Sequence, residues 1–229
     1  MHATRFNGFA MIHKALRAML YDTAMSLQQT DYSDADAMQP VLQKLEAIIH
    51  TYDDHADHED THILGIAAAV NPALAASFEQ EHIIDRQLGA NLTNAIESYR
   101  MASDATGRLR AGHHIFYAYN AFIAFNLTHM NKEANELNEV LWAQCSDAEI
   151  QAINSKIAAS VPPEQAAQNF AWMMRSCNNT ELTGFLRLIQ ANAPPPVIDM
   201  VKAIAERELS PARWALLRET LNPIVTPVA

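Results

Sequence analysis

The sequence is poor in glycine and cysteine, and each shortage excludes a class of protein. Six glycines in 229 residues, beside plentiful Ala, Leu, Met, Gln and Glu, favour helix over sheet. The two cysteines, Cys145 and Cys177, form no C-x-x-C motif. This spacing argues against a disulfide scaffold or a thiolate metal site, and it favours a reducing cytoplasm.

Basic residues and long apolar runs are also scarce. Lys and Arg number 16 against 26 Asp and Glu, and the net charge of −10 argues against a nucleic-acid or anionic-membrane surface. No apolar run reaches about 18 residues, and no apolar run follows a basic stretch near the N-terminus, so we predict neither a membrane span nor a signal peptide. We expect a cytoplasmic protein that binds no nucleic acid and no membrane.

Apolar residues make up 49% of the chain and recur at helical spacing. We predict four long helices over about 7–28, 33–69, 72–101 and 109–144, joined by short loops, which is typical of an up-down-up-down four-helix bundle. Shorter helices follow, the first beginning at a capping box over residues 146–149. The sequence therefore predicts an all-α protein with a bundle over 1–145 and a smaller C-terminal helical subdomain over 146–229.

Histidine and glutamate interrupt the apolar faces of the long predicted helices. His55 and Glu59 on the second helix are four residues apart, as are His129 and Glu133 on the fourth. This spacing places both side chains of a pair on one helical face. The first and third helices each add one histidine. The candidate metal ligands are His13, His55, Glu59, His82, His129 and Glu133.

A metal would remove the cost of burying so many ionisable groups. Glutamates can bridge two metal ions, and histidines can complete the coordination of each. Mixed nitrogen and oxygen ligands suit iron, manganese or zinc, and a bridged two-metal site favours iron. We therefore expect two iron ions as the cofactor, with manganese and zinc as alternatives.

The order of these residues resembles that of the hemerythrin-like, or HHE cation-binding, family. The family pattern is a histidine on the first helix, then H-x-x-x-E, H-x-x-x-H and H-x-x-x-E/D on the next three, and the resemblance covers residues 8–142. The C-terminal helices are similar to an extension in some bacterial members. The resemblance implies that His13 and His55 bind one iron. It implies that His82 and His129 bind the other, with the two glutamates as bridges.

One position departs from the family pattern. The second histidine of the third-helix pair is Arg86 here, so the second iron lacks a histidine. Because a cation repels a guanidinium, we expect Arg86 to point away or to pair with Asp85 or Glu79. A mononuclear or empty site also remains open. The alternatives for the missing ligand are His58, His62, Glu81, Asp85 and water.

A two-iron site with an open coordination position implies binding of O₂ or NO, or iron or redox sensing, storage or carriage. A di-iron redox enzyme that handles NO or peroxide, or repairs iron–sulfur clusters, is an alternative, although we predict no catalytic residue. A non-catalytic helical interaction module is a third. In that case residues 146–229 would bind the partner. The sequence leaves open a homo-oligomer or a protein partner bound through the C-terminal helices.

Overall fold

The computed structural model describes residues 5–221, and its secondary structure over that range is entirely helical, which confirms the all-α prediction. The first helices are α1 (Ala10–Gln29), α2 (Ala35–His62), α3 (Leu64–Val70), α4 (Pro72–Arg100), α5 (Ala105–Lys132) and α6 (Asn138–Gln144). A π-helical turn, Glu133–Leu137, joins α5 to α6. The remaining helices are α7 (Asp147–Ser160), α8 (Pro163–Ser176), α9 (Asn179–Asn192), α10 (Pro195–Glu208) and α11 (Pro211–Leu221). Within the described range, no helix has the length and apolarity that a membrane crossing requires.

Side-chain caps mark the first residues of α2, α4 and α5. Asp34 accepts hydrogen bonds of 2.9 and 3.1 Å from backbone N–H groups in the first turn of α2. Asn71 and Asp104 cap α4 and α5 in the same way. The fourth predicted helix therefore begins at residue 105 and not at 109. The second predicted helix is interrupted at Ile63, where φ is −118°, so α2 and α3 are separate helices.

Residue contacts divide the chain into two compact units. The described part of the first unit is residues 5–9 and Met19–Ala159, and that of the second is Ala10–Ala18 and residues 160–221. The helix α7 packs Ile150 into the same apolar cluster as Leu137 and Leu141. The predicted domain boundary at residue 145 stays a prediction. The helix α1 contributes residues to both units.

In the first unit, α4 packs along α5, α2 contacts α4, and α3 contacts α4 and α6. The side chains of Tyr52, Phe78 and Phe122 are fully buried in this core. Tyr119 is also buried, and its hydroxyl donates a hydrogen bond of 3.1 Å to the backbone carbonyl of Leu20. Because α2, α4 and α5 belong to this one core, polar side chains on their inner faces must find partners there.

The second unit has an apolar core of its own. Its buried residues come from α8, α9, α10 and α11, and they include Met174, Leu182, Val201 and Leu217. Burial of this apolar surface gives the short helices, each of 11 to 14 residues, the tertiary support that isolated helices of this length lack.

Gly112 on α5 provides a test of this packing. A methyl group added there would lie 2.5 Å from Cγ and 2.8 Å from Cδ2 of Tyr32. Tyr32 is held in place because Tyr99 donates a hydrogen bond of 2.8 Å to its carbonyl, and its ring packs edge-on against His113. We predict that Gly112→Ala lowers the free energy of unfolding by about 1–3 kcal/mol, although alanine favours helix.

Gly65 on α3 is the matched control, because nothing lies within 4 Å of a methyl group added there. Gly65→Ala should raise the free energy of unfolding by about 0.5–1 kcal/mol. Urea titration of both variants measures the difference. Stabilisation by Gly112→Ala would contradict the tight contact with Tyr32.

Candidate metal centre

Three helices bring histidine and glutamate side chains together inside the first unit. His55 and Glu59 lie one turn apart on α2, and His82 lies on α4. His129 is on the last turn of α5, and Glu133 begins the π-helical turn. Four of these five side chains are at most 6% exposed, and that of His55 is 15% exposed. Five of the six predicted ligands therefore meet in a buried cluster.

The spacing of the ligand atoms is that of a metal site. Glu59, His82, His129 and Glu133 each present one ligand atom within 4.8 Å of the others, and His55 does so with the two glutamates. Nε2 of His82 lies 3.3 Å from Glu59 Oε2, and Nε2 of His55 lies 3.2 Å from Glu59 Oε1. Nitrogen and oxygen ligands about 2.1 Å from one ion, at right angles, lie about 3 Å apart. These side chains could therefore hold a metal ion.

The tautomer of His82 strengthens this fit. Nδ1 of His82 lies 2.6 Å from Oδ1 of Asp60, and a carboxylate only accepts, so the ring donates from Nδ1. In the neutral ring, the lone pair on Nε2 then faces the carboxylate of Glu59. Two acceptors that face each other in a buried site need a proton or a metal ion between them, and a metal ion here would take the lone pair of Nε2 as a ligand.

Glu59 and Glu133 create the strongest electrostatic conflict in the cluster. Burial raises the pKa of Glu59 well above its ordinary value, and the neighbouring Glu133 carboxyl raises it further. Two carboxylates in an interior that excludes water cannot both ionise without a positive charge between them. A metal ion supplies that charge, so the donor set present here fits a metal.

A carboxylate and a basic residue hold each of two histidines. Arg86 donates hydrogen bonds of 2.6 Å to Asp57 and 2.9 Å to Asp60, the acid that accepts from His82. Burial opposes ionisation of Asp60, but the hydrogen bonds from Arg86 and His82 lower its pKa below the ordinary value. Asp60 is therefore an ionised acceptor that fixes the orientation of the His82 ring.

His129 has an equivalent arrangement. Its Nδ1 lies 2.7 Å from Oε2 of Glu81, and Lys132 pairs with the other oxygen of Glu81. Its Nε2 lies 2.9 Å from Oε1 of Glu133. Burial disfavours the imidazolium, but the hydrogen bonds and charges of Glu133 and Glu81 raise the pKa of His129 to about 9. In the metal-free protein His129 is therefore protonated at neutral pH, and a metal must displace that proton.

The predicted partners of Arg86 are wrong. Arg86 pairs with Asp57 and Asp60 on α2, and with neither Asp85 nor Glu79, because its side chain reaches across to the neighbouring helix. Asp85 is buried and instead accepts a hydrogen bond of 2.6 Å from Asn126. Among residues 5–221, no group of possible ligands contains any of the suggested replacements for the missing histidine, which are His58, His62, Glu81 and Asp85.

His13 lies on α1, and its side chain is 1% exposed. It belongs to Ala10–Ala18, the segment that groups with the second unit, whereas the other five predicted ligands belong to the first unit. Its role as a metal ligand stays a prediction.

The sequence prediction contains neither Asp60 nor Lys132, and it treats Glu81 as a candidate ligand and not as the partner of His129. A local signal exists, because Asp60 directly follows Glu59 and Glu81 directly precedes His82. Glu81, however, contacts the histidine of a different helix. Adjacency along the chain therefore does not show which histidine each acid reaches.

We predict that the metal-free protein loses stability as pH rises from about 6 to about 9. The pKa of His129 is higher in the folded than in the unfolded state, so its contribution is complete below about 6.5 and is lost as pH rises through 9. The raised pKa of Glu59 acts in the same direction, beginning above its ordinary value. The shift of His129 alone corresponds to about 3 kcal/mol of unfolding free energy, and Glu59 adds to the loss in the same direction.

Thermal melts of chelator-treated protein between pH 5.5 and 9.5 measure this slope. Glu59→Gln should flatten the slope, because the amide has no proton to lose. Glu139→Gln, at an exposed position on α6, should leave the slope unchanged. A melting temperature that rises from pH 6 to pH 9 would show that the buried cluster is not protonated as described.

Comparison with known proteins identifies no relative of this chain. No protein-family model matches the sequence, and neither a curated protein nor a solved structure matches it. The His/Glu cluster therefore carries the functional interpretation, and membership of the hemerythrin-like family stays a prediction.

Proposed function

We propose that this chain is a hemerythrin-like protein that holds iron, as two ions, and binds or senses a small ligand such as O₂ or NO. The observation that carries the proposal is the buried cluster of Glu59, His82, His129 and Glu133. Two carboxylates and two imidazoles around one space form the mixed oxygen and nitrogen donor set that iron, manganese and zinc accept. When bound, iron supplies a redox-active ion with coordination positions for a small ligand.

The four long helices α1, α2, α4 and α5 form a four-helix bundle in this proposal. Each carries at least one of the proposed ligands, and metal sites in bundle cores are built from side chains on facing helices. We propose that Glu59 and Glu133 bridge the two ions, that His82 and His129 bind one ion, and that His55 binds the other. His13 completes the second pair. Its burial and its position on the first long helix support this role.

The residues around His129 would shield the centre from water. The ring of Phe125 stacks on the imidazole with centroids 5.9 Å apart, and Phe78 packs edge-on at 5.8 Å. The imidazole of His82 also packs edge-on against His129, at 5.0 Å. These contacts hold the ring in one orientation, and an apolar surrounding limits solvent access to a metal site.

We place the protein in the cytoplasm. Cys145 and Cys177 both have free thiols, and Cys177 is buried. Free thiols fit a reducing compartment. The mixed histidine and carboxylate cluster does not involve either of them.

The first test of the proposal is metal content. Full-length protein purified without oxygen should contain up to two iron ions per chain by elemental analysis. The double variant His55→Ala/His129→Ala should lose both, because it removes a nitrogen ligand from each proposed ion. If the protein contained manganese or zinc in place of iron, the proposed site would stand and only the identity of the metal would change.

The control is the double variant His62→Ala/His114→Ala. Neither histidine belongs to the His/Glu groups found among residues 5–221, so iron content should equal that of the unmodified chain. If His55→Ala/His129→Ala kept the same iron content, the proposed centre would be wrong.

A second test addresses the acid that holds His82. Asp60→Asn should weaken metal binding about 10–100-fold, because the amide is a poorer acceptor for the ring N–H and leaves Nε2 less basic. Asp57→Asn is the matched control, since Asp57 contacts Arg86 in the same ion-pair group, and its carboxylate is not the one that accepts from His82. Competition with a chromophoric chelator measures both affinities. If both variants lost the same metal affinity, the cause would be the loss of a negative charge and not the hydrogen bond to His82.

A further inference from the structure

The π-helical turn joins the backbone of Asn138 to that of Glu133, a proposed metal ligand. The backbone N–H of Asn138 donates to the carbonyl of Glu133, five residues earlier. In an α-helix the acceptor would be the carbonyl four residues earlier. The extra residue in the turn places Asn138 one turn after Glu133 on the same side of the helix. Turns of this type recur at functional sites, and the helix changes register here directly after a candidate ligand.

The side chain of Asn138 is an unusual component of this interior. It is 0% exposed, and neither Oδ1 nor Nδ2 has a hydrogen-bond partner among residues 5–221. Leu137 and Leu141, the buried neighbours on the same stretch of chain, belong to an apolar cluster. Since a buried amide without partners destabilises the fold, packing alone would favour leucine at position 138.

A second buried asparagine in the same unit shows the contrast. Asn126 donates hydrogen bonds of 2.6 Å to Asp85 and 3.2 Å to the carbonyl of Phe122. Its amide is explained by those two contacts. Asn138 has no equivalent explanation inside the described part of the chain, which points to a partner that is not a protein side chain.

We propose that the carboxamide of Asn138 binds a small anionic ligand of the metal centre by donating a hydrogen bond from Nδ2, an inference that rests on the proposed function. An amide is neutral, so it adds no further charge next to Glu133. It also supplies an N–H donor, whereas a metal-bound carboxylate of Glu133 supplies only acceptors. A small anion that takes up a coordination position near Glu133 would need such a donor. Asn138 would then decide which small ligands the centre prefers.

Azide is the probe for this role, since it is a small anion that accepts hydrogen bonds. The full chain is loaded with iron, its metal content is measured, and azide is titrated while visible absorption is followed. Asn138→Leu should weaken azide binding about tenfold, the usual effect of losing one hydrogen bond to a charged group. Iron content should stay the same. Asn138→Ala serves the same comparison if the leucine variant does not fold.

Asn135→Leu is the matched control. Asn135 is exposed, lies in the same π-helical turn, and donates a hydrogen bond of 2.7 Å to the carbonyl of Asn131. Its replacement should leave azide affinity within about twofold of the unmodified chain. The melting temperature of the metal-free protein is a further measurement. Metal-free Asn138→Leu should melt at a temperature no lower than the unmodified protein, because it removes an amide that makes no bond.

Three other results would each overturn the inference, for different reasons. Unchanged azide affinity in fully loaded Asn138→Leu would leave the metal centre intact and remove Asn138 from ligand binding. Loss of iron in that variant would make Asn138 a support for Glu133, and a lower melting temperature without metal would make its role structural. If the unmodified chain held no metal, the proposed function itself would fail, and this inference with it.

Discussion

The close approach of two buried carboxyl groups, Glu59 from α2 and Glu133 from the π-helical turn, is the constraint on which the site depends. Burial and the neighbouring acid together raise the pKa of Glu59. A fold that places two acids side by side in its interior is destabilised unless a proton or a cation compensates for their charge. In the metal-free protein, His129 supplies part of that compensation as an imidazolium. Metal binding would exchange that proton for an ion of higher charge.

The acids outside the cluster have the opposite electrostatic character. Asp60 and Glu81 are partly exposed, and each contacts a basic side chain and a histidine ring. Burial disfavours their ionised forms, but these hydrogen bonds lower both pKa values. They therefore stay ionised and accept from Nδ1 of His82 and His129, while Glu59 and Glu133 lie on the Nε2 side of the two rings. The partly exposed acids therefore orient the histidine rings, whereas the two buried acids would bind the metal ions.

Short-range patterns predicted much of this arrangement. The pairs His55/Glu59 and His129/Glu133 share a helical face because four residues make about one turn, and Asn71 with Pro72 begins a helix as local capping chemistry dictates. Other features escaped prediction because they depend on more than the local spacing. Ile63 interrupts a helix whose apolar period continues past it. The π-helical turn after Glu133 changes the register by one residue, and no composition signal marks it.

Residue order alone was sufficient for an all-helical chain with imidazole and carboxylate groups on inward faces, because helix formation and side-chain facing depend on neighbours within a turn or two. Packing between helices was needed to bring Glu59 near Glu133, to direct Arg86 to Asp57 and Asp60, and to pair Glu81 with His129. These contacts join residues up to 74 positions apart. Their existence depends on how far each helix is shifted along its neighbour, and a shift of one turn would separate every one of them. That axial alignment is set by the whole core, so it could be read only from the folded chain.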